Sequence, residues 1–182
     1  MTNRAYVSLG SNIQPELYLP RAVSELQTCG RVIAVSRVWQ SAAIGGSNQP
    51  DFCNAAVFLE TDLTAMELTE LDGVLRRIED RLGRVRIAGD RNAARTIDLD
   101  LSLFNHDAGC FGRKTLPDPD VFGRACVAVP LAELPGAVLP VPLNRPSGPS
   151  TLQEVAAELL RRQPLSARPD IDQVIAVALA SG

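Results

Sequence analysis

Apolar and polar positions alternate or recur along this chain with periods that name its elements. Ala5-Tyr6-Val7-Ser8-Leu9 reads as a strand, and Gly10-Ser11-Asn12 reads as a polar turn after it. Val23 and Leu26 give a helix over about Leu19–Cys29 its apolar face, with Pro20 in the first turn and Gly30 as the stop. Arg31–Trp39 is a β-rich run, Ala42–Asp51 a loop of small and polar residues, and Ala55–Glu60 a third strand. Thr64 and Glu67 form a capping-box pattern. Leu68, Leu71, Leu75, Ile78 and Leu82 then recur at three- and four-residue steps, predicting one amphipathic helix that Gly83 ends.

The next strand, Thr96–Phe104, carries Asp98 and Asp100 two residues apart. In a strand such residues share a face, while Ile97, Leu99, Leu101 and Leu103 point into a core. Cys110–Thr115 predicts an edge strand or hairpin arm, and Val127–Leu134 a short helix or turn. Pro135–Pro149 is proline-rich and irregular, Leu152–Arg161 is a helix, and Asp170–Ala180 suits another. The order β-α-β-β-α-β predicts an α+β, ferredoxin-like fold, an antiparallel sheet with two helices packed on it. With 182 residues and no evident linker, one domain is expected, with a core over about 4–140 and a C-terminal extension over 141–182.

Two carboxylates starting about 6–7 Å apart on one strand face repel unless a cation lies between them. Mg²⁺ suits such a pair of hard oxygen ligands. Arg84, Arg86, Arg91 and Arg95 lie just upstream, and guanidinium groups grip phosphate. Metal-binding acids beside phosphate-binding arginines are the equipment of phosphoryl transfer. A solvated strand face is the ordinary alternative for the D-x-D pattern alone. In Gln49-Pro50-Asp51-Phe52-Cys53-Asn54 an aromatic and an amide stand at the mouth of a strand, where a flat heterocycle can stack and be hydrogen-bonded; a core phenylalanine and a turn asparagine are the ordinary alternative.

Charge and composition exclude several classes. The net charge of −3 argues against a general nucleic-acid surface. Arginine supplies 17 of the 18 basic residues, and Lys114 is the one lysine. Cys29, Cys53, Cys110 and Cys126 form no C-x-x-C pair, so a zinc site is not expected. The chain shows no secretory pattern, and reduced thiols in a cytoplasm are expected. No apolar run has the length of a membrane span. His106, the one histidine, lies in a turn-like stretch and reads as a solvated loop residue.

Ala5–Asn12, Gln49–Val57, Gly83–Arg86 and Arg95–Leu101 together resemble the 6-hydroxymethyl-7,8-dihydropterin pyrophosphokinase family, with a match over about residues 4–140. The resemblance implies the same ferredoxin-like fold and transfer of pyrophosphate from MgATP to a pterin hydroxymethyl group, releasing AMP, in folate biosynthesis. It implies two Mg²⁺ ions on Asp98 and Asp100, with Arg84, Arg91 and Arg95 acting on the phosphates. Glu79, Arg84, Arg95, Arg113, Thr115 and Arg124 would seat ATP. Ser41, Ala42, Ala43, Ile44, Phe52, Asn54 and Cys126 would hold the pterin. The small-molecule substrates would be the partners of a monomer or weak homodimer, with no nucleic acid or membrane. The chain departs from the family where Asn92-Ala93-Ala94 replace a tryptophan and Gly-Pro, and where Asp118 replaces a histidine that contacts phosphate. Cys126 stands at an aromatic position of the pterin sandwich. These departures leave open a paralogue acting on a modified pterin or another heterocyclic alcohol, or an idle nucleotide- or pterin-binding protein.

Overall fold

A computed structural model describes residues 2–43, 49–86, 93–140 and 151–180. Strand β1 (Asn3–Ser11) leads to α1 (Pro15–Gln27), β2 (Arg31–Val35), β3 (Trp39–Ser41) and the long β4 (Phe52–Thr61). Helices α2 (Ala65–Thr69) and α3 (Val74–Arg81) follow, then β5 (Asp98–Phe104) and a hairpin of β6 (Gly109–Phe111) and β7 (Lys114–Leu116). A 3₁₀ turn (Pro119–Phe122), α4 (Ala125–Ala132), α5 (Leu152–Arg162), β8 (Ser166–Ala167) and α6 (Pro169–Ala180) complete the order. The main sheet runs β5-β1-β4-β3-β8, with β2 also on β4, and every described pair is antiparallel. The predicted α+β plan is therefore present, with its second strand split between β2 and β3.

The two faces of the sheet bury separate cores. Val7, Leu9, Val57 and Leu101 pack against α1, α3 and α6 through Leu26, Ile78 and Ile175. Tyr6, Phe58 and Leu103 pack against α4 and α5 through Leu131 and Leu152. The second layer, on the α4–α5 face, adds to the two helices expected from the pattern. A register shift opposite Tyr6/Val7 turns Leu103 to this second core instead of the one that takes Leu99 and Leu101.

Several boundaries differ from the periodic reading. Helix α1 begins four residues early because Pro15 supplies the pre-set φ of a first turn, and Pro20 lies inside it. The run Arg31–Trp39 breaks after Val35, where Ser36 bonds both the N–H and the C=O of Ala56. The helix predicted from Thr64 to Leu82 is two. The Thr64–Glu67 capping box starts α2, but the chain turns at Glu70–Gly73, and Gly73 N–H donates to Glu70 O at 2.8 Å. A Cβ on Gly73 would lie 2.8 Å from backbone atoms of Leu68 and Glu70. The turn leaves Leu71 59% exposed. Gly83, with φ +76°, closes α3 as expected.

The C-terminal elements are stitched to the sheet. Strand β8 pairs with β3, Arg168 N–H donates to Val38 O at 2.9 Å, and Asp172 Oδ1 accepts from Val38 N–H at 2.7 Å. Asp172→Ala, which removes a charge-assisted bond, is expected to cost about 2 kcal/mol and lower Tm by about 4–8 °C. A thermal melt unchanged within 1 °C would contradict this tie.

Candidate functional site

The sheet register builds the floor of the site. Gly10 pairs with Asn54 on one side and Asp98 on the other, and Ser8 pairs with Ala56 and Asp100. Asp98 and Asp100 thus share one face, as the two-residue period predicts. Gly10 leaves the gap between the amide and the carboxylate open, since a Cβ there would lie 3.4 Å from Asn54 Oδ1 and 3.9 Å from Asp98 Cβ. The sequence suggests a turn here; instead β1 continues through Ser11, and Asn12 serves as a staple. The Asn12 amide donates to Pro50 O at 3.3 Å and accepts from Arg95 N–H at 2.7 Å, joining both flanking loops.

A cavity of about 590 Å³ opens over this floor. Its walls include Phe52, Asn54, Arg95, Arg124, Cys126 and, from beyond α5, Leu165. A second cavity, about 240 Å³, wraps the edge strand β5 and is lined by Leu71, Leu75, Glu79, Arg84, Arg86 and Lys114. Asp98 and Asp100 line both cavities.

Glu79, Asp98, Asp100 and Asp118 each meet a cation. Glu79, with a side chain 6% exposed, accepts from Arg84, from Arg86 and, at 2.8 Å, from Leu99 N–H. Burial lifts its carboxyl to about 7, against the pull of Arg84, the Leu99 amide and Arg86. Arg84 also bonds Asp98, and Arg95 reaches Asp98 Oδ2 at 2.6 Å. Burial works to raise the Asp98 carboxyl, but Arg84 and Arg95 outweigh it and hold it below the usual carboxylate range. Asp100 accepts from Lys114 Nζ at 3.0 Å. Its surroundings in the cleft push its pKa up, opposed by Lys114 and reinforced by Asp98 and Asp118. Lys114 also bonds Asp118. Burial works to lower the lysine, and the two acids outweigh it, so the ammonium persists.

The other named residues divide by location. Ser41, Ala42, Ala43, Phe52, Asn54, Arg124 and Cys126 line the first cavity, and Glu79 and Arg84 the second. Arg95 lines the first and lies over the Phe52 ring, 5.6 Å from its centroid. Asn54 Nδ2 donates to Trp39 O at 3.2 Å and to Ser41 Oγ at 3.1 Å, which orients its Oδ1 toward Gly10. The Nε of Arg124 is buried with no partner among the described residues. Arg113 and Thr115 lie exposed on the β6–β7 hairpin and line neither cavity. Ile44, Arg91 and Asn92 fall outside the described residues. Sequence reasoning did not place Lys114, Gly10 or the Gln163–Leu165 segment in the site. The only available signal for Lys114 was its singularity, four residues before an unexpected acid.

Among the described residues no three His, Cys, Asp or Glu side chains group as a metal cage. Mg²⁺ binds through one or two carboxylates and takes its other ligands from phosphates and water. Asp98 and Asp100, on one face and open to both cavities, fit that ion; their present cation partners show that the locus favours positive charge.

Acids shared by two cavities and paired with basic side chains suit chemistry on charged groups. The chain belongs to the 7,8-dihydro-6-hydroxymethylpterin-pyrophosphokinase (HPPK) family, whose model matches residues 6–136. It is 39% identical over 137 residues to the 2-amino-4-hydroxy-6-hydroxymethyldihydropteridine pyrophosphokinase of Bacillus subtilis (strain 168), covering 74% of this chain and 79% of that one. It is also 39% identical over 160 residues to the enzyme of that name from Methylorubrum extorquens, covering 86% and 93%. The crystal structure of wild-type Plasmodium falciparum HPPK-DHPS with pteroate shares the fold, at TM-score 0.64 and 12% identity, over 89% of this chain. This chain spans 43% of that longer protein. Among the described residues no helix is long and apolar enough to cross a membrane.

Glu79→Ala would strand the Leu99 N–H and leave Arg84 with Asp98 and Arg86 with Asp80. It is expected to cost about 2 kcal/mol in urea unfolding, with Glu79→Gln milder because it keeps an acceptor. A loss below about 1 kcal/mol would show that Glu79 does not organise the arginines.

Proposed function

We propose that this protein catalyses the pyrophosphokinase step of folate biosynthesis. It transfers the β,γ-pyrophosphoryl group of ATP to the hydroxymethyl group of 6-hydroxymethyl-7,8-dihydropterin. The hydroxymethyl oxygen bonds to the β-phosphorus, the bond from that phosphorus to the α-phosphate oxygen breaks, AMP leaves and the hydroxyl proton is released. The observation that carries this reading is the position of Asp98 and Asp100, shared by the two cavities, in a chain of this family.

The larger cavity is assigned to the pterin. Phe52 offers a ring face, and Asn54 Oδ1, its amide already committed to Trp39 and Ser41, accepts from pterin N–H groups. Ser41, Ala42 and Ala43 close one side, with Cys126 and Leu165 opposite, giving a wall of thiol and aliphatic groups. The smaller cavity is assigned to the nucleotide, with exposed Leu71 as an apolar contact at its rim. Arg84 and Arg95 point their charge to the junction where the phosphates must pass, and Arg124 stands on the wall of the larger cavity. Two Mg²⁺ ions held by Asp98 and Asp100 neutralise phosphate charge when bound. The residues themselves bind, align and exclude water, which is what this chemistry requires. The protein acts in the cytoplasm as a monomer or weak homodimer; its four cysteines are free thiols in the structure.

Incubation with MgATP and 6-hydroxymethyl-7,8-dihydropterin should yield AMP in step with pterin diphosphate. ATP binding without AMP would overturn this assignment. Asp98→Ala should lower kcat on the order of a thousandfold with the fold intact by circular dichroism, and EDTA should abolish turnover reversibly. Asn54→Ala should weaken pterin binding by about 5- to 100-fold and leave ATP binding unchanged; equal losses for both ligands would refute its assigned role.

A further inference from the structure

We infer that Lys114, tethered by Asp118, is an exchangeable cation: it holds Asp100 before the metal arrives and then turns to the phosphates of ATP. The inference rests on the proposed function and adds a phosphate-binding residue and its positioning partner.

The geometry sets the two acids apart. Asp118 is fixed and enclosed. Its N–H donates to Ser102 O on β5 at 2.9 Å, and its Oδ1 accepts from Asp120 N–H at 2.8 Å, capping the 3₁₀ turn. Only Oδ2 is left for Lys114. Asp100, by contrast, has a side chain 58% exposed to the cavities, against 13% for Asp118. An ammonium has three N–H donors on a four-carbon stem that rotates. Two donors engage these acids. The group can therefore leave the open acid while keeping the enclosed one.

Electrostatics supplies the direction. Lys114 is the only described cation paired with Asp100, whereas Asp98 has both Arg84 and Arg95. A divalent ion on Asp98 and Asp100 repels an ammonium on the same carboxylate. The phosphates that come with the ion attract it. Lys114 already lines the cavity assigned to the nucleotide, with Arg84 and Arg86. Asp118 lines the larger cavity, and alone its charge would oppose phosphates at the junction of the two cavities; as the tether of an ammonium it does the reverse.

Because Lys114 is the single lysine, labelled lysine reports one side-chain ¹⁵Nζ signal. In the wild-type protein that signal should move when Mg²⁺ and α,β-methylene-ATP are added together. An unmoved signal at saturation overturns the inference. By calorimetry, Lys114→Met and Lys114→Gln should each weaken the Mg²⁺–analogue complex by about tenfold or more. Pterin affinity should stay within twofold. Half-saturating Mg²⁺ should not rise, because the ion no longer displaces the ammonium. Asp118→Asn should weaken the analogue severalfold, and Lys114→Met/Asp118→Asn no further than Lys114→Met alone. Analogue affinity within twofold of wild type in both lysine variants, equal pterin loss, or additive single losses would each refute the role. Thermal melts check that the variants are folded. Wild-type protein that makes pterin diphosphate while the lysine variants bind the analogue normally would sink this inference alone; wild type that makes none would sink the functional reading.

Discussion

A buried acid among basic side chains decides where the charges of this site stand. Glu79 projects from α3 toward β5 and receives the Leu99 amide together with Arg84 and Arg86. A carboxylate at that depth is costly unless it is paired or protonated, and the segment after Gly83 folds back and delivers its guanidiniums to it. Arg84 then serves Glu79 and Asp98 at once. One bond orients the arginine, and the other fixes the acid proposed as a metal ligand. The same Leu99 amide locks α3 to the strand carrying both aspartates. Positive charge is thus in place before any phosphate arrives, which spares reorganisation during the reaction.

Preorganisation has a counterpart on the acidic side. Asp98, Asp100 and Asp118 are each matched by Arg84, Arg95 or Lys114. A divalent ion held by Asp98 and Asp100, as proposed, would take the place of some of these partners. Its net gain at the site would be the difference between ion and side chain, not the bare attraction of two carboxylates. The exchange proposed for Lys114 would couple metal entry to phosphate entry, because a released cation needs an anion to face.

The sequence carried the parts of this arrangement that depend on short periods. The i, i+2 spacing of Asp98 and Asp100 places them on one face whatever surrounds them, the Thr64–Glu67 box starts a helix locally, and Gly83 is required by its positive φ. What escaped was set by contacts at a distance or by steric exceptions. Leucines at helical spacing concealed the turn at Gly73, where a Cβ would strike backbone. A register shift sent Leu103 to the opposite core. Gly10 looks like turn punctuation until its strand neighbours are known to be Asn54 and Asp98. Lys114 and Asp118 are four residues apart with a strand end between them, and no helical rule brings such a pair together.

The C-terminal segment shows how a cavity can depend on residues far from its motifs. The family match ends at residue 136, yet Gln163, Pro164 and Leu165 line the larger cavity. Helix α4 begins at Arg124 with no side-chain cap of its own. Gln163 supplies one from α5: its Oε1 accepts from Ala125 N–H at 2.8 Å, and its Nε2 donates to Gly123 O at 2.9 Å. That clamp holds the turn from which Arg124 and Cys126 enter the cavity. Strand β8 covers the edge of β3, the short strand bearing Ser41, and Asp172 secures Val38 just before it. Cys126 and Leu165 line the same cavity, and Leu165 adds apolar surface to it. The extension thereby bears on the shape of the larger cavity, while the Asp98–Asp100 strand on the opposite side of the sheet order keeps the charge.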